Sequence, residues 1–142
     1  MAKTRRDKEY LGIDSNVLIA FLIDNHPDHD KVKGLLDSIH VINPTVIHEV
    51  YHTCVFKLRI DAKVIADILM EYIDNTLFLP ITYDTTRLGL RIAVKYMLGG
   101  RDALIIASYL NSNIRRLVTF DKELLKLNKI ALEGKRIDII KP

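Results

Sequence analysis

The chain has no tryptophan and no glutamine, and its one cysteine, Cys54, can form no internal disulfide. A single cysteine also excludes a zinc site built from cysteine ligands, so we expect Cys54 to be a small buried side chain in a reducing compartment. No apolar run approaches the ~18 residues that a membrane-spanning helix needs, and no apolar signal segment follows the basic residues near the N-terminus. We therefore expect a soluble, cytoplasmic protein that does not act at a membrane.

Length and composition are those of an ordinary globular protein. The chain has 142 residues, of which 49% are hydrophobic and 27% are charged, so it can bury one core without cross-links. We expect a single domain over residues 1–142. The formal net charge of +3 is small, and it permits a polyanionic partner without requiring one.

Short runs of β-forming residues alternate with longer helical patterns along the chain. This alternation is typical of β-α-β units, and it predicts an α/β fold with a small parallel sheet of about five strands, flanked by helices on both faces. The predicted strands are Tyr10–Ile13, Ile39–Ile42, Leu77–Ile81, Arg116–Phe120 and Ile137–Ile140.

Capping residues mark the ends of several predicted helices. Asn43, which precedes a proline, is typical of a helix start, and Asp61 can cap the next helix. A further helix is expected over Thr85–Leu98, ended by the Gly99-Gly100 pair. Residues 24–30, with the sequence DNHPDHD, are expected to form a polar loop.

Four carboxylates are expected near one edge of the sheet. Asp14 and Asp121 directly follow predicted strands, and ligands bind outside the carboxyl ends of the strands in parallel sheets. Asp102 begins a helix that is apolar almost all the way round, and Glu49 lies at the rim of the apolar face of its helix. Each aspartate alone could be a helix N-cap, but four carboxylates at one edge would repel each other unless a cation lay among them. Clustered oxygen ligands suit Mg²⁺ or Mn²⁺.

The helix that carries the second of these acids also contains a zinc-protease pattern. His48 to His52 reads HEVYH, which matches H-E-x-x-H, with the two histidines one helical turn apart. Glu71 could be offered as a third ligand, but Val55 and Leu58 stand where the extended pattern requires glycine and histidine. A zinc protease is therefore an alternative. The competing interpretation is that both histidines lie on a solvated helix face and bind no metal.

Basic residues suggest a track for a phosphate backbone. Arg87, Arg91 and Lys95 are four residues apart and so share one helix face, which leads towards Asp102. With Arg101, they are predicted to contact nucleic acid, although each taken alone fits an ordinary solvated face. Further positive charge comes from Lys3, Arg5, Arg6, Arg115 and Arg116.

Four segments of the chain, in their order and spacing, resemble the PIN-domain family and, within it, the VapC-type toxins. The segments are GIDSNVLIAF with Asp14, PTVIHEV with Glu49, GGRDALIIAS with Asp102 and LVTFD with Asp121. The third is the most specific, because capping alone hardly explains a buried helix start of this composition. The resemblance implies a small parallel sheet flanked by helices, and a metal-dependent nuclease that cuts single-stranded regions of RNA.

The resemblance also implies roles for individual residues. The four acids become the catalytic group, in which Asp14, Asp102 and Asp121 ligate one or two Mg²⁺ or Mn²⁺ ions and Glu49 ligates metal or activates water. The residues expected to orient the acids are Ser15, Asn16 and Thr119. A VapC-type toxin further implies an RNA substrate, a small antitoxin partner and a possible homodimer.

A PIN-like module that binds RNA or a partner protein without catalysis is a further alternative. A haloacid-dehalogenase-type phosphatase is disfavoured, because that family requires a second aspartate where Asn16 stands.

Overall fold

A mostly parallel sheet forms the centre of the computed structural model, which describes residues 9–142. The predicted charges at Lys3, Arg5 and Arg6 lie outside these residues. The strands are β1 (Tyr10–Ile13), β2 (Ile39–Ile42), β3 (Leu77–Phe78), β4 (Arg116–Val118), β5 (Lys129–Leu132) and β6 (Lys135–Ile140). Their order is β3-β2-β1-β4-β6-β5, and all neighbours are parallel except β5 and β6. The predicted α/β class is confirmed.

Helices connect and flank the strands. They are α1 (Ser15–Leu22), α2 (His29–Val32), α3 (Pro44–His52), α4 (Ala62–Ile73), α5 (Tyr83–Tyr96), α6 (Gly100–Asn111) and α7 (Lys122–Leu127). A 3₁₀ turn over Lys33–Asp37 follows α2, and a π-helical turn over Thr53–Lys57 continues α3. Within residues 9–142, no helix combines the length and the apolar character needed to cross a membrane.

The inner strands are buried along almost their whole length. Leu11 and Ile13 of β1 and Val41 and Ile42 of β2 are all at most 4% exposed. Continuous apolar runs of this kind are typical of parallel strands covered by helices on both faces. Cys54 is 1% exposed, which confirms the prediction that it is a buried side chain.

The sheet has one more strand than predicted. The sequence analysis does not predict β5, which pairs antiparallel with β6 through a two-residue turn. The turn residues Glu133 and Gly134 have φ values of 54° and 78°, and two-residue hairpin turns of type I′ require positive φ at both positions. β5 is hard to predict because only one residue, Asn128, separates it from α7. Its short sequence therefore looks like a continuation of the helix.

Two predicted strands and one predicted loop extend too far. β3 ends at Phe78 rather than Ile81, since Pro80 has no N–H to donate to a neighbouring strand. β4 ends at Val118 rather than Phe120. The predicted loop over residues 24–30 is shorter, because α2 already begins at its second-last residue.

The helix α5 begins and ends before the predicted bounds of Thr85–Leu98. Thr82 is its N-cap and shares a reciprocal capping box with Thr85, which fixes the earlier start. Met97 ends the helix in a left-handed conformation with φ of 56°. The Gly99-Gly100 pair therefore does not end α5, because Gly99 is the N-cap of α6 and Gly100 its first residue. Asn43 and Asp61 cap α3 and α4 as predicted.

Close contacts hold α6 beside β1 and the start of α3. A Cβ atom on Gly12 would lie 2.7 Å from Cδ2 of Tyr109, so the ring packs directly on the strand backbone. The Tyr109 hydroxyl donates a hydrogen bond of 2.7 Å to the carbonyl of Ile13. Asn43 Nδ2 donates a hydrogen bond of 2.8 Å to Ser108 Oγ. These contacts fix where the first turn of α6 lies relative to the end of β1.

Candidate functional site

Asp14 lies between β1 and α1, and its side chain is 6% exposed. Its Oδ1 accepts a hydrogen bond of 2.8 Å from the N–H of Ser15, the first residue of the helix. Ordinary N-caps accept from the second or third helical residue, so this carboxylate is not placed as a normal cap. Its Oδ2 instead accepts a hydrogen bond of 2.7 Å from Thr119 Oγ1. Asp14 thus links the end of β1 to the end of the neighbouring strand β4.

The hydroxyl of Thr119 organises the end of β4. Besides donating to Asp14, it accepts hydrogen bonds from Asn16 Nδ2 at 3.4 Å and from the N–H of Asp121 at 3.0 Å. Asn16 Oδ1 accepts from the N–H of Phe120 at 3.2 Å. A hydroxyl has one donor and two acceptor lone pairs, so Thr119 is fully used. Asn16 and Thr119 therefore contact the backbone on both sides of Phe120 and hold Asp121 relative to Asp14.

Glu49 extends from α3 to Ser15, the neighbour of Asp14. Its Oε1 accepts a hydrogen bond from the Ser15 hydroxyl, and its Oε2 lies 3.5 Å from Nη1 of Arg101. The side chain is 27% exposed, which agrees with the predicted position at the rim of the core. Ser15 therefore contacts two predicted acids, since its N–H binds Asp14 and its hydroxyl binds Glu49.

The remaining two acids begin helices. Asp102 lies in the first turn of α6 and is partly buried. Asp121 is the N-cap of α7, and its Oδ1 accepts hydrogen bonds from the N–H groups of Glu123 at 2.8 Å and Leu124 at 3.2 Å. The capping interpretation is therefore correct for the geometry of Asp121, and its second carboxylate oxygen has no hydrogen-bond donor within residues 9–142.

The acids act on one another electrostatically. The pKa of Asp14 is raised to about 6, and burial is the largest cause. The charges of Asp102 and Glu49 add to the rise, whereas the hydrogen bonds from Thr119 and Ser15 oppose it. Burial also raises the pKa of Asp102, the charges of Asp121 and Glu49 add to that rise, and Arg101 opposes it. Each predicted acid is thus close enough to perturb, or be perturbed by, another. Such mutual repulsion in one place is typical of functional sites.

A polar cleft of about 420 Å³ opens beside these acids. Its lining residues are Glu49, His52, Thr53, Lys57, Gly99, Gly100, Arg101 and Asp102. Acidic and basic side chains come from the same two elements, since Glu49 and His52 lie one turn apart on α3 and Asp102 follows Arg101 on α6.

The donor set suits a hard divalent cation, because it consists of carboxylate oxygens whose mutual repulsion a cation would relieve. The arrangement is not preassembled, however. Among residues 9–142, no three His, Cys, Asp or Glu side chains lie where they could together hold one ion. Glu49 is bonded to Ser15 and Arg101, so part of its carboxylate is already engaged.

Only one of the four predicted nucleic-acid contacts lies at the acids. Arg101 contacts Glu49, whereas Arg91 Nε lies 2.9 Å from Oε1 of Glu133 and Lys95 Nζ donates a hydrogen bond of 2.9 Å to the carbonyl of Ala131. Both of these partners belong to the β5–β6 hairpin, the element that the sequence analysis does not predict. The guanidinium of Arg87 lies 5.6 Å from the centre of the Tyr83 ring. Arg91 and Lys95 therefore already have partners in the β5–β6 hairpin, and their predicted contact to nucleic acid stays a prediction.

The two histidines of the H-E-x-x-H pattern border different cavities. His52 lines the polar cleft with Glu49, whereas His48 lines an apolar groove between α3 and α4 together with Ile47 and Tyr51. Glu71 is exposed on α4 and supplies no third ligand to either histidine, because the described part of the chain contains no three-residue metal cluster. The geometry gives the zinc-protease alternative no support.

Sequence reasoning missed Lys57 and the position of His52 in the cleft. A regular α-helix places Lys57 about 40° from Thr53 and about 80° from Glu49, two residues that also line the cleft, so helical periodicity offers a signal for this grouping. The segment ends in a π-helical turn, in which the N–H of Leu58 donates to the carbonyl of Thr53 at 3.0 Å.

Solved structures with a similar fold include three toxin proteins. VapBC2 from Rickettsia felis, bound to a DNA fragment from its promoter, has a TM-score of 0.68 at 11% identity, covering 94% of this chain and 98% of that one. VapC20 from Mycobacterium tuberculosis, a toxin that cleaves the sarcin-ricin loop, has a TM-score of 0.67 at 15% identity, covering 79% of this chain and 90% of that one. A toxin–antitoxin complex from Klebsiella pneumoniae has a TM-score of 0.65 at 17% identity, covering 92% and 95%. At these identities the likeness concerns the fold.

No curated protein sequence matches this chain. The family model of the PIN domain matches residues 12–130, which include all four acids. They also include Ser15 and Thr119, which donate hydrogen bonds to the acids, and Asn16, which donates to Thr119. The chain therefore belongs to the PIN-domain family.

Proposed function

We propose that this protein is a metal-dependent endoribonuclease of the VapC type, the toxin of a toxin–antitoxin pair. The observation that carries the proposal is the convergence of four carboxylates from four separate elements at the carboxyl edge of the parallel sheet. A buried aspartate with a pKa of about 6 is costly to keep charged at neutral pH, and a divalent cation would remove that cost. The likeness of the fold to a toxin described as cleaving the sarcin-ricin loop supports RNA as the substrate class.

In this proposal, Asp14, Asp102 and Asp121 hold Mg²⁺ or Mn²⁺, and Glu49 holds the ion or a water molecule. When bound, such an ion supplies an activated water and neutralises charge on the phosphoryl oxygens. The protein contributes carboxylates that are held in place before the substrate binds. Ser15 and Thr119 donate hydrogen bonds to opposite oxygens of Asp14, which restricts rotation of its carboxylate.

Glu49 and Arg101 form an exposed ion pair at the edge of the proposed site. The pair, at 3.5 Å and with an Arg101 side chain 78% exposed, is weak in water. Arg101 can leave Glu49 for a substrate phosphate at little cost, and Oε2 of Glu49 can then face a cation or a water molecule while Oε1 keeps its bond from Ser15. The proposal accordingly gives Arg101 a contact to RNA.

A small antitoxin is the proposed partner. The similar structures include a VapBC protein and a toxin–antitoxin complex. Helix α5 carries three strongly exposed apolar side chains, which lie within about 40° of each other around the helix axis. They are Tyr83, Leu90 and Val94, with exposures from 63% to 77%, and Met97, directly after the helix, is 88% exposed. Exposed apolar stripes of this kind mark protein–protein contacts, and either an antitoxin or a second copy of the chain could cover this one.

The test of the nuclease proposal is cleavage of single-stranded RNA and ribosomal RNA by the purified chain, followed by gel electrophoresis. We expect endonucleolytic products in Mn²⁺ or Mg²⁺ and none in EDTA. Cleavage that persists in EDTA would contradict metal dependence. Absence of cleavage under all of these conditions, with tight RNA binding, would favour the module without catalysis.

One observation favours that second candidate. Among residues 9–142 no three acidic or histidine side chains are arranged to hold an ion, and Glu49 is engaged by Ser15 and Arg101. A protein that only binds RNA would need the basic side chains of the cleft, which are His52, Lys57 and Arg101, but not the acids. If the protein only binds RNA, substituting the acids should leave RNA binding intact. If it is a nuclease, the same substitutions should abolish cleavage.

A further inference from the structure

The basic side chains of the polar cleft are not explained by the acidic site. His52 and Lys57 come from the end of α3 and its π-helical turn, and Arg101 comes from the first turn of α6. All three line the same cleft as Glu49 and Asp102. Within residues 9–142, His52 and Lys57 have no hydrogen-bond or ion-pair partner, so their donors are available to a ligand.

Lys57 lies in the π-helical turn that continues α3, four residues after Thr53, which also lines the cleft. The bond from the N–H of Leu58 to the carbonyl of Thr53 spans five residues and defines this turn. π-helical turns are destabilising relative to α-helix and often occur at functional sites. The aromatic ring of Phe56, 5.0 Å from that of His52, packs beside the imidazole.

The start of α6 leaves the cleft open to a chain-like ligand. Gly99 and Gly100, directly before Arg101, line the cleft, and nothing lies within 4 Å of where their Cβ atoms would be. Backbone can therefore be approached closely at the start of α6, which has no side-chain cap. A polar cleft with two cationic side chains, an imidazole and open glycine backbone fits an extended phosphodiester better than a compact apolar ligand.

We propose that His52, Lys57 and Arg101 form a subsite for a backbone phosphate of the RNA strand next to the bond that is cleaved. This inference rests on the proposed nuclease function and adds the location of the flanking strand. An Arg guanidinium, a Lys ammonium and an imidazole N–H are donors that suit phosphate oxygens. The subsite pulls the negatively charged strand against the carboxylates, which would otherwise repel it. It also draws Arg101 from Glu49 when RNA binds.

The chain offers a matched histidine control on α3 and a matched lysine control on α4. His48 lies one turn before His52 on α3 but lines the apolar groove on the other side. Lys63 is an exposed lysine at the start of α4, where it pairs with Asp67 at 2.9 Å rather than lining the cleft. The test therefore compares Lys57→Ala and His52→Ala with Lys63→Ala and His48→Ala, after circular dichroism has confirmed that each variant is folded.

Binding of a fluorescently labelled single-stranded RNA is measured by anisotropy in EDTA, over a series of salt concentrations. We expect Lys57→Ala to weaken binding about threefold to tenfold and to reduce the salt dependence by about 0.7 in log–log slope, the value for one phosphate contact to a single strand. His52→Ala should weaken binding by a smaller factor, and both controls should match the wild type. Equal affinities and slopes for all variants, or no RNA binding by the wild type, would overturn the subsite.

Cleavage in Mn²⁺, measured separately, distinguishes this inference from the proposed function. If the wild type cleaves RNA but Lys57→Ala and His52→Ala bind and cleave as it does, the subsite is wrong and the nuclease stands. If the wild type binds RNA in a Lys57-dependent way without cleaving it, the subsite stands and the nuclease proposal fails.

Discussion

Helices α1 and α4 each follow an aspartate, and these two aspartates have different roles. Asp61 accepts a hydrogen bond of 3.1 Å from the N–H of Val64, the third residue of α4, and is exposed. Asp14 accepts from the first residue of α1 and from Thr119, and is 6% exposed. Asp61 is an ordinary cap, whereas the carboxylate of Asp14 also binds Thr119 at the end of β4. Both aspartates directly precede a helix, and what distinguishes Asp14 is its burial beside other acids.

The largest expected difference between the two concerns activity. Asp14→Asn keeps the shape of the side chain and removes its charge, so we expect RNA cleavage in Mn²⁺ to fall by about a thousandfold, in the range for loss of a charged group that acts in a transition state. Asp61→Asn should leave the rate unchanged. Rates of cleavage under single-turnover conditions measure both. Equal loss in both variants would mean that the effect is structural.

The next difference concerns stability against pH without metal. Because the folded-state pKa of Asp14 is raised from 3.8 to about 6, the folded protein binds this proton more tightly than the unfolded chain does. The free energy of unfolding should therefore fall as pH rises from about 4 to about 6, by up to ~3 kcal/mol, and change little above that range. Urea unfolding in EDTA across this pH range measures the fall.

Asp14→Asn should flatten this pH dependence, because an amide does not ionise, and Asp61→Asn should not. The substituted protein should then be more stable than the wild type at pH 7.5 in EDTA. A wild-type profile without a fall between pH 4 and pH 6 would mean that Asp14 is not buried in the way described.

A third prediction concerns the hydroxyl that distinguishes the Asp14 region. Thr119→Val removes the donor to Asp14 and the acceptor for the N–H of Asp121, so we expect cleavage to fall about tenfold to hundredfold, a cost of the size usual for unsatisfied buried groups near charges. The pKa of Asp14 should rise further, since the hydrogen bond from Thr119 lowers it. Thr119→Ser retains the hydroxyl and should recover most of the activity. Failure of serine to do so would show that the methyl group, not the hydroxyl, matters.

The smallest expected effect is the loss of the ordinary cap. Asp61→Ala should lower the free energy of unfolding by about 1 kcal/mol, the usual cost of an N-cap deletion, and leave cleavage unchanged. Thermal or urea unfolding beside the activity assay measures both. A fall in the cleavage rate at a temperature at which Asp61→Ala remains folded would contradict this prediction, because it would place α4 in the site.

The convergence of the acids could be predicted from sequence because it depends on one robust rule. Strand ends in parallel sheets share an edge; Asp14 directly follows β1, and Asp121 lies three residues beyond the end of β4. The buried helix start at Asp102 was similarly readable from its apolar surroundings. The hydrogen bonds of Ser15, Asn16 and Thr119 were expected only from the family resemblance, and the geometry now gives each of them a named partner.

The surroundings of the acids could not be predicted in the same way. The destination of Arg91 and Lys95 depends on the β5–β6 hairpin, whose first strand is four residues long and has no clear alternation. The basic side chains of the cleft come from α3 with its π-helical turn and from the first turn of α6, and no local pattern reports that these two elements meet. Element type and burial thus follow from local patterns, whereas the side chains that face the cleft depend on contacts between elements distant in sequence.

The central claim is that the four carboxylates together bind a divalent cation that Asp61 does not bind. Titration of Mn²⁺ into metal-free protein, with free Mn²⁺ followed by electron paramagnetic resonance, tests it most directly. The account predicts saturable binding by the wild type and by Asp61→Asn, and its loss in Asp14→Asn. Undiminished binding by Asp14→Asn, or no binding by the wild type, would contradict it.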